Sequence, residues 1–248
     1  MTNHLQNAVT VITGAASGIG AASARRLAAS GAKLVLGDLD EDGLKKVVSD
    51  IKDAGGTASY KLTDVASYEA FEALVAFAEE TYGPVDILVN NAGLMLFSYW
   101  EERAIADWDK MIDVNLRGYL HGIAAVLPTM TKRKAGRIIN MDSVAGHRAG
   151  EAGGVYAATK FFIQGMTESL RKEVGVSSGI QVGMVSPGVI DTGWPHKLRD
   201  GKAKDVAVDL SKGSIKPEAV AEAVAFALNQ PKGVAINEII VAPVDQAW

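Results

Sequence analysis

Short apolar runs alternate with stretches of helical periodicity along most of this chain. Seven runs rich in valine, isoleucine and leucine predict strands at residues 8–13, 33–37, 58–62, 86–90, 137–141, 180–185 and 234–241. Between them, apolar residues recur with the i, i+3, i+4, i+7 spacing of amphipathic helices. The sets are Leu44/Val47/Val48/Ile51, Phe71/Leu74/Val75/Ala78, Leu116/Tyr119/Leu120/Ile123 and Val220/Ala223/Val224/Ala227. Because the strands are apolar throughout, we predict an α/β fold with about seven parallel strands and helices on both faces.

One segment, residues 189–214, breaks this rhythm. It combines Trp194 and Pro195 with scattered glycines and mixed charge, and it has no clear period. Loops of this length inside compact domains are more often functional or mobile than inert, so the segment is a candidate substrate lid, with an ordinary surface loop as the alternative. The 248 residues otherwise fit one domain with a single sizeable core.

Composition excludes several kinds of site and partner. The formal net charge of -4 gives no electrostatic case for binding nucleic acid or an anionic membrane. The chain has no cysteine, and its four histidines, at positions 4, 121, 147 and 196, show no ligand spacing, so we expect no metal site. No apolar stretch reaches the roughly 18 residues of a membrane span, and the N-terminus lacks the pattern of a signal peptide, so the cytoplasm is the default location.

A glycine-rich turn follows the first predicted strand. Its residues are Thr13, Gly14, Ala15, Ala16, Ser17, Gly18, Ile19 and Gly20. Glycines allow a sharp turn and close backbone approach, and the N-terminus of the next helix offers unpaired N–H groups to a pyrophosphate. The alternative is a turn that only reverses the chain.

Asp38 stands at the end of the second predicted strand, where a carboxylate can accept hydrogen bonds from the adenosine ribose of a dinucleotide. A carboxylate there would repel a 2′-phosphate, and Leu39, not a basic residue, follows it. We therefore predict NAD(H) in preference to NADP(H). A minor alternative is that Asp38 is a turn or helix N-terminal residue.

Tyr156 and Lys160 stand four residues apart within a helical pattern, after Ser143 at the end of an apolar strand. On one helix face, the Lys160 ammonium could favour the ionised form of the Tyr156 phenol and lower its pKa from about 10 toward neutrality. Such a tyrosine could exchange a proton with substrate oxygen. Taken alone, the two residues could equally form a surface pair.

The chain resembles the short-chain dehydrogenase/reductase family over nearly its whole length. The matching positions are Thr13-Gly14-x-x-x-Gly18-x-Gly20, Asp64-Val65, Asn90-Asn91-Ala92-Gly93, Asn115, Ser143, Tyr156-x-x-x-Lys160, and Pro187-Gly188 with Thr192. The resemblance implies a Rossmann-type doubly wound sheet and hydride transfer between a nicotinamide cofactor and a carbonyl or secondary alcohol.

The resemblance also implies the roles of individual residues. Tyr156 would be the proton donor or acceptor, Ser143 the partner of substrate oxygen, and Lys160 the ligand of the nicotinamide ribose, while Asn115 would hold a water of the proton relay. Asp64 and Val65 would hold the adenine. The remaining cofactor-binding positions are Gly14, Ser17, Gly18, Ile19, Gly20, Asp38, Leu39, Asn91, Ala92, Gly93, Pro187, Gly188, Val189, Ile190 and Thr192.

The substrate side is less clearly marked. Apolar residues cluster after the cofactor motif, at residues 94–97 and at Trp100, and again in the lid, and they predict a pocket for a ketone or secondary alcohol with alkyl or aryl groups. Candidate substrate residues are Met95, Val144, His147, Glu151 and Trp194. Asp142, immediately before the serine, could perturb Ser143 or Tyr156 if it faces the site; several of these residues could instead be core or solvated.

Two other functions stay open. A 3-oxoacyl reductase would serve a carrier-protein or thioester substrate, although the Asp38 preference counts against it. A nucleotide-sensing protein would keep the fold and lose the chemistry, although the intact serine, tyrosine and lysine count against that. The family also implies a homotetramer or dimer joined through the helices predicted at residues 107–133 and 156–174, and we expect the terminal Trp248 to be buried at a subunit contact.

Overall fold

The computed structural model describes residues 2–246, apart from the side chain of Lys197. The predicted contact of Trp248 lies outside these residues. The described chain alternates strands and helices in the order expected for linked βαβ units. The strands are β1 (Val9–Thr13), β2 (Lys33–Asp38), β3 (Thr57–Leu62), β4 (Ile87–Asn90), β5 (Arg137–Met141), β6 (Gln181–Pro187) and β7 (Glu238–Val241). The helices are α1 (Gly18–Ala29), α2 (Glu41–Asp53), α3 (Tyr68–Tyr82), α4 (Ile105–Ile112), α5 (Gly118–Arg133), α6 (Gly154–Ser178), α7 (Lys202–Ser211) and α8 (Pro217–Leu228).

The seven strands form one parallel sheet in the order β3-β2-β1-β4-β5-β6-β7. Residues of α1, α2 and α8 pack on one face, and residues of α3, α5 and α6 pack on the other. The predicted fold class is therefore confirmed. The strand order reverses between β1 and β4, and ligands of such sheets bind at the carboxyl ends of the strands beside this point.

The last strand is shorter than predicted. It begins at Glu238, and the residues just before it lie against β6, where the Asn237 carbonyl oxygen accepts from Met184 N at 3.0 Å. The close approach is possible because Gly183 has no side chain: a Cβ there would lie 2.0 Å from the Ile236 carbonyl oxygen. Apolar composition alone does not distinguish residues that lie against a strand in this way from residues of a strand.

The helix predicted at residues 107–133 is interrupted. Helix α4 passes into a π turn, Asp113–Arg117, before α5 begins. Within α5, Tyr119 and Ile123 are buried as expected, but Leu120 is exposed. Gly122 takes its place on the buried face, since a Cβ there would lie 2.3 Å from Asn90 Oδ1.

The candidate lid contains regular structure that the sequence did not predict. A short 3-10 turn, Trp194–Lys197, precedes helix α7, and Ile190 forms an isolated parallel bridge with Ile215. The two ends of the segment are therefore joined by backbone hydrogen bonds next to the carboxyl end of β6. Among the described residues, no helix is both long enough and apolar enough to cross a membrane.

Candidate active site

The residues predicted to be catalytic converge beyond the carboxyl ends of β4 and β5. Ser143 lies two residues after the end of β5, and Tyr156 and Lys160 lie in the first turns of α6. The Ser143 side chain lies close enough to the Tyr156 phenol to lower its pKa. The Lys160 ammonium lies 5.7 Å from the centroid of the Tyr156 ring. The structure thus brings the three side chains together.

Ser143 also has a local structural role. Its Oγ accepts a hydrogen bond from Ala145 N at 3.1 Å, which caps the 3-10 turn Val144–Gly146, and lies 3.4 Å from the Pro187 carbonyl oxygen. The serine is 8% exposed. Capping fixes the direction of the hydroxyl while it remains in contact with the Tyr156 phenol.

The electrostatics of the tyrosine differ from the expectation. Burial raises the pKa of Tyr156 to about 12, the hydrogen bond from Ser143 lowers it, and the charge of Asp142 raises it. Burial also lowers the pKa of Lys160 to about 8. The predicted lowering of the tyrosine pKa by Lys160 was wrong for this structure because desolvation of the phenolate outweighs the other effects.

Lys160 is fixed by the strand rather than by the tyrosine. Its Nζ donates to the Met141 carbonyl oxygen at 2.8 Å, and the Tyr119 hydroxyl donates to the same oxygen at 2.8 Å. The Lys160 ammonium lies 5.6 Å from the Tyr119 ring centroid. These contacts hold the lysine beneath Tyr156 at the end of β5.

Asn115 is fully buried in the π turn between α4 and α5. Its Oδ1 accepts from Leu94 N at 2.8 Å, and its Nδ2 donates to the Leu94 carbonyl oxygen at 2.8 Å and to Thr159 Oγ1 at 3.1 Å. Thr159 in turn donates to the Tyr156 carbonyl oxygen at 2.7 Å. The amide side chain therefore joins α6 to the segment after β4, and the predicted water ligand role stays a prediction.

The glycine-rich turn has the geometry needed by a pyrophosphate. Gly14 and Gly18 have φ of 64° and 53°, in the left-handed region, and a Cβ on Gly20 would lie 2.1 Å from the Gly14 carbonyl oxygen. Within the described residues, Ser17 makes no side-chain capping bond at the start of α1, and the first turn of this helix carries no acidic residue. Its first N–H groups are thus available to an anion, and the residues present fit a dinucleotide.

Two neighbouring segments hold this turn in place. Asn91 Nδ2 donates to the carbonyl oxygens of Thr13 and Gly14 at 2.8 and 3.1 Å. A Cβ on Gly18 would lie 3.0 Å from Thr192 Cγ2, so the start of the lid contacts the glycine-rich turn. Predicted cofactor residues that follow β1, β4 and β6 therefore lie close to one another. Ala92 and Gly93, which come after Asn91, lie in the same region.

Asp38 ends β2 with its carboxylate turned toward the glycine-rich turn. Oδ2 accepts from Ala16 N at 3.0 Å, and Oδ1 accepts from the backbone N–H groups of Leu39 and Asp40 at 2.7 and 3.1 Å. The helix cap of α2 is Asp40, which accepts from Gly43 N. Asp38 is therefore not the cap of α2, but its bond with Asp40 N is that of a turn residue, so this part of the alternative stays open. Leu39 itself is 71% exposed.

The other predicted cofactor residues occupy the edges of this region. Asp64 Oδ1 accepts from Ala66 N at 2.9 Å, and the Val65 carbonyl oxygen lies 2.9 Å from His121 Nδ1. After β6, Gly188 N donates to the Val241 carbonyl oxygen at 2.7 Å, and Val189 N donates to Gln246 Oε1 at 3.0 Å.

Aromatic side chains form a wall beside Tyr156. The centroid of the Phe97 ring lies 6.5 Å from that of Tyr156 and 5.3 Å from that of Trp194. Trp194 is 9% exposed and packs with Leu198 and with residues of the segment after β4, including Met95. The predicted apolar residues of the lid and of that segment thus meet next to the phenol.

The polar substrate candidates have partners within the protein. His147 Nε2 lies 2.7 Å from Glu238 Oε1 and 2.9 Å from Gln164 Nε2, and Glu151 is exposed and interacts with Tyr99. Asp142, His147 and Glu238 bring atoms of metal-binding types within 4.8 Å of one another. Because the Gln164 amide contacts all three of these side chains, we describe the cluster as a hydrogen-bond network.

Comparisons with known proteins identify the family. A family model described as short chain dehydrogenase matches residues 8–203. The chain belongs to the short-chain dehydrogenase family. An uncharacterized oxidoreductase of Staphylococcus saprophyticus is 41% identical over 99% of this chain and 99% of its own length. An uncharacterized oxidoreductase of Listeria innocua is 39% identical over 98% of this chain and 99% of its own length.

Solved structures give the same assignment. An alcohol dehydrogenase from Thermococcus sibiricus complexed with 5-hydroxy-NADP has a TM-score of 0.84 at 32% identity, covering 96% of this chain and 97% of its own. A serine dehydrogenase complexed with NADP+ has a TM-score of 0.88 at 30% identity, covering 96% of each chain. A family member from Burkholderia phymatum in complex with NAD has a TM-score of 0.87 at 28% identity, covering 97% of this chain and 90% of its own.

Several residues that support the site in this short-chain dehydrogenase were missed from the sequence. Thr13 Oγ1 accepts from the N–H groups of Asn91 and Ala92 at 3.1 and 3.2 Å. Thr159 and Gln246 connect α6 and the carboxyl-terminal segment to predicted site residues. Only Thr13 had a local signal, because it opens the glycine-rich turn; the other two depend on contacts between distant parts of the chain.

Proposed function

We propose that this protein transfers hydride between NAD(H) and a small to medium apolar ketone or secondary alcohol, with Tyr156 as the general acid and base. The observation that carries the proposal is the convergence of three side chains: Ser143 interacts with the Tyr156 phenol, and the buried Lys160 ammonium lies 5.7 Å from the centroid of the Tyr156 ring. A protein that only senses a nucleotide has no need of a phenol in this arrangement. The relatives are oxidoreductases, which supports the reaction class.

The proton chemistry follows from the protonation state of the phenol. The dinucleotide, when bound, supplies or accepts the hydride. In reduction, Tyr156 donates a proton to the developing alkoxide, and Ser143 donates a hydrogen bond to the same oxygen. A phenol with a pKa of about 12 is protonated at neutral pH, which suits it to the reducing direction. In oxidation, the phenolate would take the alcohol proton.

The preference for NAD(H) rests on Asp38. Its carboxylate is oriented by three backbone N–H groups at the end of β2, where an adenosine ribose would lie. Solved relatives include both NADP and NAD complexes, so the structures compared do not share one cofactor. Repulsion between the carboxylate and a 2′-phosphate is the physical basis for the preference.

The substrate class rests on the wall formed by Phe97 and Trp194. The Phe97 ring lies beside Tyr156, the Trp194 ring lies beside Phe97, and both pack with other apolar side chains. An apolar wall beside a single hydroxyl pair favours a carbonyl compound with alkyl or aryl groups.

The test is steady-state oxidation of NADH and, separately, NADPH with a panel of aryl, alkyl, cyclic and 3-oxoacyl ketones. We expect turnover with NADH on simple ketones. Tyr156→Phe should reduce kcat by at least about 100-fold, the lower range for loss of a general acid, and should still bind NADH by fluorescence titration. Tyr82→Phe is the matched control, because that hydroxyl pairs with Ser59 far from the site.

The other outcomes separate the alternatives. Selective turnover of 3-oxoacyl thioesters would favour the 3-oxoacyl reductase. Tight NADH binding without turnover of any ketone would contradict the proposed reaction, and so would full activity in Tyr156→Phe.

A further inference from the structure

A buried carboxylate lies next to the proposed catalytic serine. Asp142 follows β5, is 2% exposed, and lies between the sheet and α6. Its Oδ2 accepts from Gln164 Nε2 at 2.5 Å and lies 3.2 Å from Ser186 Oγ. Its Oδ1 has no hydrogen-bond partner among the described residues. A buried carboxylate with only part of its hydrogen-bonding capacity used is costly, and it stays ionised only when a compensating charge lies nearby.

The network around Asp142 continues to the protein surface. Ser186 Oγ donates to Glu238 Oε1 at 2.6 Å, and His147 Nε2 lies 2.7 Å from the same oxygen. The side chains of His147 and Glu238 are 28% and 25% exposed. Residues from β6, β7, α6 and the loop after β5 therefore fix the carboxylate from several sides.

The charged and titratable groups facing Asp142 include those of the proposed site. Its negative charge raises the pKa of Lys160, against the effect of burial, and raises the pKa of both Tyr156 and Tyr119. Lys160 and His147 in turn act to lower the pKa of the Asp142 carboxyl, which burial raises. Among these groups, Lys160 is buried and carries the opposite charge. Its Nζ donates a hydrogen bond to the carbonyl oxygen of Met141, the residue just before Asp142.

We propose that Asp142 is a positioning residue, a buried negative charge held next to Lys160 and Tyr156, which keeps the Lys160 ammonium protonated and lets the Tyr156 phenol keep its transferable proton to higher pH. Gln164 and Ser186 hold the carboxylate in place for this role. The inference rests on the proposed function where it concerns Tyr156, but the effect on Lys160 is independent of it. The position of Asp142 before Ser143 had indicated a possible effect on Ser143 or Tyr156, but nothing in the sequence indicated an effect on Lys160.

The test compares Asp142→Asn with the wild-type protein by two measurements. The first is the titration of Lys160, followed by NMR of isotope-labelled lysine side chains and assigned with Lys160→Met. Removing the negative charge should move this titration to lower pH by about one unit, the lower range for a close charge pair. The second is the pH profile of kcat/KM for ketone reduction, whose basic limb should move in the same direction, because the Tyr156 phenol also loses its proton more readily.

Glu80→Gln is the matched control, since it removes one carboxylate from the exposed surface of α3 and should move neither quantity. If Asp142→Asn does not fold, Asp142→Ser removes the same charge with a smaller side chain. A Lys160 titration unchanged in the neutral variant would overturn the proposal. If the wild-type protein reduces no ketone, the proposed function fails, and the Lys160 titration still decides the role of Asp142.

Discussion

At the scale of single residues, burial has the largest effect on the proposed catalytic groups. Tyr156 and Lys160 have shifted pKa values because their charged forms lose contact with water, and the shifts act in opposite directions on a phenol and an ammonium. The spacing of the two residues predicted that they would meet. It could not predict the degree of desolvation, which depends on the packing of α6 against β5.

The buried lysine predicts a pH dependence of stability. With a pKa of about 8 in the folded protein against a usual 10.5, Lys160 holds fewer protons when folded than when unfolded between these values. The free energy of unfolding should therefore rise with pH across this window, by up to about 3 kcal/mol. Denaturant unfolding between pH 7 and pH 10 should show the rise in the wild-type protein and not in Lys160→Met. The exposed Lys46 is the control, and Lys46→Met should keep the wild-type slope; parallel curves for all three proteins would contradict the prediction.

Asp38 gives a second prediction at this scale. Asp38→Asn keeps the shape of the side chain and removes the charge that would repel a 2′-phosphate. The ratio of kcat/KM for NADH to that for NADPH should fall about tenfold, which corresponds to about 1.4 kcal/mol. Asp42→Asn is the matched control, because its side chain is 97% exposed on α2. An unchanged ratio in Asp38→Asn would show that another residue selects the cofactor.

At the scale of elements, apolar patterns located all seven strands but not every helix face. The face predicted for α5 included Leu120, whereas the structure buries Gly122, because a residue without a side chain is needed against Asn90 and Phe71. A hydrophobicity pattern does not register a glycine as a contact. Likewise, the pattern did not distinguish residues 234–237, which approach β6 at Gly183, from the strand that begins at Glu238.

The network of Asp142 shows a different limit. His147 and Glu238 are in contact, although 91 residues separate them in the sequence. From the sequence, His147 was a candidate substrate residue, and Glu238 was only a position within the last predicted strand. Only the placement of β7 beside β6 brings them together, and sequence spacing carries no information about that contact.

The lid gives a prediction for a whole element. Trp194 of this segment contacts Phe97, so Trp194→Ala should remove part of the apolar wall and raise KM for aryl ketones about tenfold. Trp194→Phe should keep most of the contact and a KM near the wild-type value. NADH binding, measured by fluorescence titration, should be unchanged in both. A loss of kcat with unchanged KM would instead assign Trp194 to the chemical step.

At the scale of the whole molecule, α6 carries both the proposed site and an exposed apolar surface. Phe161, directly after Lys160, is 48% exposed, and Leu120 on α5 is 45% exposed. Scattered exposed apolar residues are ordinary, but here they lie on the two helices that the family resemblance assigns to subunit contacts. A stable interface buries about 800 Å² on each partner, more than these side chains alone provide, so the contact would involve both helices along much of their length.

We therefore expect the wild-type protein to sediment as a tetramer or dimer, and Phe161→Asp to give a smaller species, because burying an unpaired carboxylate in an apolar contact is costly. Val176→Asp is the matched control on the same helix: Val176 is 90% exposed near the end of α6 and should tolerate the charge without dissociation. Sedimentation velocity at several protein concentrations measures both. Since Phe161 adjoins Lys160, dissociation should also lower ketone reduction if the contact stabilises the start of α6. A monomeric wild-type protein would show that there is no such subunit contact. Equal sedimentation of Phe161→Asp and the wild-type oligomer would show that the contact lies elsewhere.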